Sequence, residues 1–383
     1  MINELEFVGV DLINDFGVSF LQYNDYEYFY YMIKGVNKSM LSATTTGLAS
    51  GTASPSTGVS TVAGSASSST ACRGSQKDKV TVPTDVPALS PGDFRLETLI
   101  GEGLNGKVYH EKLNTGENVA LKMLDVFTEA ESSNEFLTKV SRVATLQHDN
   151  LVKLRGYCDE ENNPFLAYEY ATKGSLHDML HGRKGVNGAQ PGPVLDWIQR
   201  VKIALDAAKG LEYLHQNVKP HIVHGDIRSN NVLLFEGLSA KIADFDFSIR
   251  APDLTVHFNS TGALGTSCYH APEYAMTKLL TPKTDVYSFG LLLLEILTGR
   301  KCDQDDDTMP QGQQSLLTRV RRMLRKGIVE QCVDPSLEEY SLKGVAQMAQ
   351  LAAACVMDTP EVRPSMGIVV MRLENILTAP TGT

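Results

Sequence analysis

The stretch DVYSFGLLLLEILTG, residues 285–299, limits the possible folds more than any other, because apolar side chains occupy nearly every side of a helix drawn through it. Such a helix has no face to offer water, and it falls well short of the ~20 residues that cross a bilayer. It must therefore lie at the centre of a domain, wrapped by other elements. Helical spacing from Asp196 onward supplies the wrapping, with Val201, Ala204, Ala208, Leu211 and Leu214 along one face. Upstream of that the pattern is different. From Phe94 short strand-like runs follow one another: FRLETLI, KVYHEKL, NVALKML, LVKLRGYC and PFLAYEY, the second and third joined by NTGE, a hairpin turn containing Gly116. One helix, over residues 130–146 and ending before His148, interrupts them. Strands followed by helices predict an α+β chain with a five-stranded antiparallel part and a mostly helical part.

A chain of 383 residues suits a single two-part domain of about 280 residues behind an unstructured leader. Residues 1–41 mix apolar and aromatic side chains with Asp11, Asp15, Asp25 and Glu27, and suggest no mechanism. Residues 42–93 read as a flexible linker, because Ser, Thr, Ala and Gly dominate residues 42–80 and bury too little apolar surface to offset ordering entropy. The domain then spans 94–377, divided at 170/171, with 378–383 as a tail. A formal charge of -10 leaves no broad basic footprint for nucleic acid. Six scattered cysteines form no C-x-x-C pair, so neither a zinc site nor a disulfide framework is indicated and a reducing, cytoplasmic setting is expected. No apolar stretch is long enough for a transmembrane segment, and the start MINELEF has neither a secretion signal nor a Gly at position 2 for lipidation.

Four motifs carry chemistry. HGDIRSNN at 224–231 is followed by ADFD, which contains Asp244. Upstream, GEGLNGKV at 101–108 has the G-x-G-x-x-G-x-V spacing, and VALK places Lys122 shortly after it. A lone glycine pattern is weak, but this one lies between two strand-like runs, whereas a dinucleotide-binding version opens directly into a helix. Two carboxylates and an amide, Asp226, Asn231 and Asp244, are hard oxygen donors of the kind that phosphoryl transfer uses to position a hydroxyl and hold magnesium.

With HAPEY, DVYSFG and VRPSM in the same order, these motifs resemble the eukaryotic protein kinase family over roughly residues 94 to 377. LGTSCYHAPEYAM, DVYSFGLLLLEILTGRK and GQQSLLTRV resemble more narrowly the Pelle-type plant receptor-like cytoplasmic kinases, in the Pto-interacting kinase branch. The resemblance implies the bilobal kinase fold, with ATP and Mg2+, or Mn2+ in its place, as cofactors. Asp226 would orient and deprotonate the acceptor hydroxyl, Asn231 and Asp244 would hold the metal, and Lys122 and Arg228 would hold phosphates. The loop Gly101, Glu102, Gly103, Leu104, Asn105, Gly106 and Lys107 would lay backbone amides over the phosphates. Ile100, Val108, Ala120 and Leu233 would sandwich adenine, and the hinge Tyr168 to Ala171, through Glu169 and Ala171, would read its edge. Glu273 and Arg363 match a buried ion pair of the family.

Several positions depart from the family pattern. Lys139 stands where most members place the Glu that pairs with the strand lysine; two ammonium groups about 4 Å apart would repel by roughly 1 to 4 kcal/mol, so Lys139 must swing aside. Glu135, one turn earlier, is the alternative partner for Lys122. Gly225 replaces the Arg of HRD and removes the cation that senses a phosphorylated loop. Arg228 replaces a Lys, Asp246 the Gly of DFG, and Cys268 a residue that is usually Gly. Thr266 stands where the resembled serine/threonine kinases place a hydroxyl, and Ser260 and Thr261 are candidate phosphorylation sites. The expected function is ATP-dependent phosphorylation of Ser or Thr, with Tyr left open, in a plant signalling cascade. Expected partners are protein substrates and upstream kinases, at a cytoplasmic location or peripheral at the plasma membrane. The alternative is a pseudokinase scaffold that keeps the fold without efficient transfer.

Overall fold

The computed structural model describes residues 86–89, 98–103, 106–123, 133–159, 164–182, 192–245, 267–302 and 316–379. Leu104, Asn105, Asp246, Ser260, Thr261 and Thr266, the leader 1–41 and most of 42–93 lie outside them. The five predicted strands form: β1 (Thr98–Gly103), β2 (Gly106–Lys112), β3 (Asn118–Met123), β4 (Leu154–Cys158) and β5 (Phe165–Glu169). They make one antiparallel sheet in the order β1-β2-β3-β5-β4. Gly116 turns the β2–β3 hairpin at φ 88, a left-handed backbone that glycine adopts without a Cβ clash. Val119, Leu121, Phe165, Ala167 and Cys158 fill a small separate core on this sheet.

The helix expected over 130–146 is α1 (Ser133–Thr145), which buries Phe136, Val140 and Val143 in the main core. Residues 86–89 fall inside the stretch 42–93 read as linker, yet they run beside β4: Leu89 N–H donates to Tyr157 O at 2.7 Å and Tyr157 N–H to Pro87 O at 3.2 Å. The reason is local composition, since Val86 and Leu89 give this end of the stretch apolar surface to bury, which the Ser/Ala/Gly-rich part lacks.

The helical lobe contains α2 (Leu176–His181), α3 (Trp197–Glu212), the short hairpin β6 (Val232–Leu234) and β7 (Ala240–Ile242), then α4 (Pro272–Thr277), α5 (Pro282–Thr298), α6 (Leu316–Lys326), α7 (Leu342–Cys355) and α8 (Met366–Thr378). At its centre is α5, as its all-round apolar sequence demands, with every residue from Thr284 to Thr298 buried. A reciprocal Thr281/Thr284 capping box and Pro282 start it, and Gly299 at φ 63 ends it. Gly290 lets α7 approach closely: a Cβ there would lie 2.7 Å from Cys355 Cβ and 3.1 Å from Ala352 O. The predicted face of α3 (Val201, Ala204, Ala208 and Leu211) is fully buried, as is Leu214 beyond it. Arg363 and Glu273 form the expected ion pair through two bonds, at 2.6 and 2.8 Å, and the guanidinium lies over the Tyr287 ring. Among the described residues no helix is long and apolar enough to cross a membrane, and Cys158, Cys268, Cys302, Cys332 and Cys355 are free thiols.

Candidate active site

The loop between α3 and β6 gathers the first set of groups. Asp226 Oδ2 accepts from Asn231 Nδ2 at 2.9 Å and forms an ion pair with Arg228 Nη2 at 3.1 Å. Asn231 Nδ2 also donates to Asp226 O at 2.8 Å, so the carboxamide nitrogen is held by Asp226 and the oxygen is the end left to act as a ligand. Asn231 is buried, and its backbone O takes Ala243 N–H at 2.9 Å, which ties this loop to the residue before Asp244. The buried Nε of Arg228 has no hydrogen-bond partner among the described residues. An orphaned guanidinium N–H is costly in a dry site, and it marks a place that suits an anion.

Lys122 extends from β3, where it pairs with Val108 on one side and Leu166 on the other. Its side chain is 4% exposed, and its Nζ meets Asp244 Oδ1 at 2.9 Å. Burial alone would raise the Asp244 carboxyl. The Lys122 ammonium, with the Arg228 guanidinium beyond it, more than reverses this and holds the pKa below the usual carboxylate range. Asp244 takes φ 67, a strained value for a residue with a Cβ, at the point where β7 ends and its carboxylate faces Lys122. Lys139 is half-buried on α1, and the side chain of Glu135 is not among those described.

The glycine hairpin closes with Gly103 paired to Gly106, which takes φ 111 and needs to be glycine. Gly101 pairs with Val108, where an added Cβ would make only ordinary contact at 3.7 Å. Glu102 and Lys107 are exposed and face one another at 3.6 Å. Val108, Ala120 and Lys122 lie on adjoining strands, while Leu233 lies on β6 and bridges to Ser175 below the hinge. Ile100 on β1 is half-buried. Of the hinge residues, Ala171 accepts Gly174 N–H at 3.2 Å. The carboxylate of Glu169 turns to Lys241 Nζ at 2.6 Å and to Lys153 N–H at 2.8 Å, so its side chain joins the residue before β4 to β7.

Two functional carboxylates escaped the sequence reading. Asp285, in the first turn of α5, accepts His224 N–H and Gly225 N–H, each at 2.7 Å, and His215 Nε2 at 2.8 Å. It fixes the loop that presents Asp226. His224 Nδ1 accepts Asp226 N–H at 3.2 Å, so the ring proton sits on Nε2 and donates to Ala243 O at 2.8 Å. Gly225 takes φ 79, a backbone conformation strained for any residue with a Cβ, and an added Cβ would lie 2.9 Å from Leu280 Cδ1, so that methyl would have to shift. Glu295, also on α5, collects Ser229 Oγ at 2.7 Å, His181 Nε2 at 2.8 Å and the Tyr269 hydroxyl. Burial and then Glu295 itself push the Tyr269 hydroxyl pKa far above its ordinary value, so it stays protonated and donates. A charged residue inside an otherwise apolar helix was the available signal for both, since it must be paired to be buried.

A strand-built lobe that presents a lysine and a glycine hairpin to a helical lobe carrying Asp226, Asn231 and Asp244 is the arrangement of a protein kinase. Residues 94–373 match the family described as protein tyrosine and serine/threonine kinase, and the chain belongs to that family. Among curated relatives, PTI1-like tyrosine-protein kinase 2 of Arabidopsis thaliana is 56% identical over 80% of this chain and 85% of its own length. PTI1-like tyrosine-protein kinase 3 of the same plant is 58% identical over 78% of this chain and 74% of its own. Among solved structures, the pseudokinase domain of BIR2, an immune regulator of the RLK/Pelle family, matches with a TM-score of 0.59 and 30% identity over 75% of this chain and 82% of that one.

Proposed function

We propose that the chain transfers the γ-phosphate of ATP to side-chain hydroxyls of proteins, with Asp226 as the group that orients and accepts the proton of the acceptor hydroxyl. Serine and threonine are the acceptors expected, and the names of the PTI1-like relatives make tyrosine the second acceptor to assay. The observation that carries the reading is the preassembled pair of clusters, Asp226–Asn231–Arg228 and Lys122–Asp244. Much of phosphoryl-transfer catalysis is positioning and charge neutralisation, and these groups are already held by hydrogen bonds and ion pairs.

The donor set fits a magnesium–nucleotide complex: an ionised carboxylate on Asp244, the amide oxygen of Asn231, and an orphaned N–H on Arg228 for an anionic oxygen. Magnesium would supply neutralisation of phosphate charge. Lys122 would exchange part of its contact with Asp244 for phosphate oxygens, and the Gly101–Gly106 hairpin would close over them. Ile100, Val108, Ala120 and Leu233 would line the adenine site. The scaffold alternative, without turnover, is the weaker reading because Lys122, Asp226, Asn231 and Asp244 are all retained. Phosphosite mapping after incubation of the full chain with Mg·ATP tests the proposal. Modified Ser, Thr or Tyr residues in the wild type and none in Asp226→Asn support it; equal modification of both overturns it.

A further inference from the structure

The last residues of the segment read as linker are built into the small lobe. Ala88 faces Tyr157 in a parallel bridge, with Tyr157 bonding through its N–H to Pro87 O and through its C=O to Leu89 N–H. This is the parallel-ladder pattern, in which one residue bonds to both neighbours of the residue it faces. Pro87 supplies only a carbonyl, so its missing N–H does no harm, and it restricts Val86 to extended backbone. The two apolar side chains go to different places: Val86, 6% exposed, joins the main core that contains Phe136 and Val140 of α1, while Leu89 packs on the separate small core of the sheet. Gly156 makes this possible. A Cβ at Gly156 would stand 2.7 Å from Leu89 Cδ1 and 3.1 Å from Pro87 O, so a side chain there competes with the segment for the same space.

We infer that the edge of β4 is a docking site for the chain's own Val86–Leu89 segment, and that docking there sets the position of α1. The path is short. The segment pins the Tyr157 backbone on both sides, the Tyr157 ring meets the Phe136 ring at 6.5 Å between centroids, and Phe136 begins the buried face of α1, the helix that carries Lys139. Val86 reaches the same core directly. Whatever pulls on the chain before residue 86 therefore bears on α1 without touching the nucleotide site. The docking stands on backbone geometry alone; its effect on nucleotide affinity rests on the kinase reading.

The test is amide hydrogen exchange on the full chain, in wild type, Gly156→Ala and Leu89→Asp, with Mg·ADP affinity measured on each. Leu89→Asp leaves the sheet residues unchanged, so it remains informative if Gly156→Ala folds poorly. In the wild type the Leu89 and Tyr157 amides should exchange far more slowly than in an unstructured chain. Both variants should speed them at least about tenfold, speed the amides from Phe136 to Val140, and weaken Mg·ADP binding severalfold. Unprotected Leu89 and Tyr157 amides in the wild type would overturn the docking. Release of those two amides with α1 exchange unchanged would overturn the coupling. If the wild type fails to bind Mg·ADP, the kinase reading fails, while the exchange of Leu89, Tyr157 and α1 still decides the docking and its reach.

Discussion

Lys122 and Asp244 are the residues where local chemistry and function meet most closely, a buried ammonium against a carboxylate held ionised by it. Because the Asp244 pKa is depressed, its contribution to stability is present above about pH 4 and is lost only as pH falls further. Histidines govern the milder range. Burial lowers the pKa of His148, His177 and His270, so folding favours neutral imidazole and the unfolded chain binds more protons below about pH 6.5. Urea midpoints should therefore fall between about pH 7.5 and about pH 5.5, and His148→Gln should narrow the gap. No change in the gap would argue that His148 does not contribute. At the Arg363–Glu273 pair, Glu273→Gln should cost about 3 to 5 kcal/mol in chemical denaturation by leaving a buried guanidinium unpaired. A loss under about 1 kcal/mol would show that the pair is solvated.

Among the elements, those with strong periodicity were legible from sequence. The β2–β3 hairpin turns at Gly116, α3 buries its predicted face and α5 lies at the centre, because each pattern admits one way to bury its apolar surface. What sequence did not reveal are contacts between distant residues. Asp285 holding His224 and Gly225, or Glu169 reaching Lys241, requires knowing which elements meet. Val86–Leu89 was missed for another reason: a short apolar pair next to a low-complexity stretch has no period to detect. The α5–α7 contact makes a direct prediction. Gly290→Ala should destabilise the protein by about 1 to 3 kcal/mol, since the new methyl meets Cys355 Cβ and a backbone carbonyl. An unchanged thermal midpoint would show that α7 yields without cost.

Across the whole molecule, the sheet contributes Lys122 and the glycine hairpin, and the helical lobe contributes Asp226, Asn231 and Asp244. The carboxylate of Glu169, at the end of β5, joins Lys153 to Lys241 of β7, and Leu151 bridges to Ile242, so the segment before β4 and the end of β5 are tied to the hairpin that leads to Asp244. Lys139, Gly225 and Asp246 depart from the common kinase pattern, while Lys122, Asp226, Asn231 and Asp244, the residues proposed for catalysis, are retained in the sequence. The account therefore depends on turnover. Its most direct measurement is the initial rate of phosphate transfer from Mg·ATP by the full chain, compared with Asp226→Asn. The account predicts a wild-type rate about 10² to 10⁴ times that of the variant, the range for loss of a general base; equal rates would contradict it.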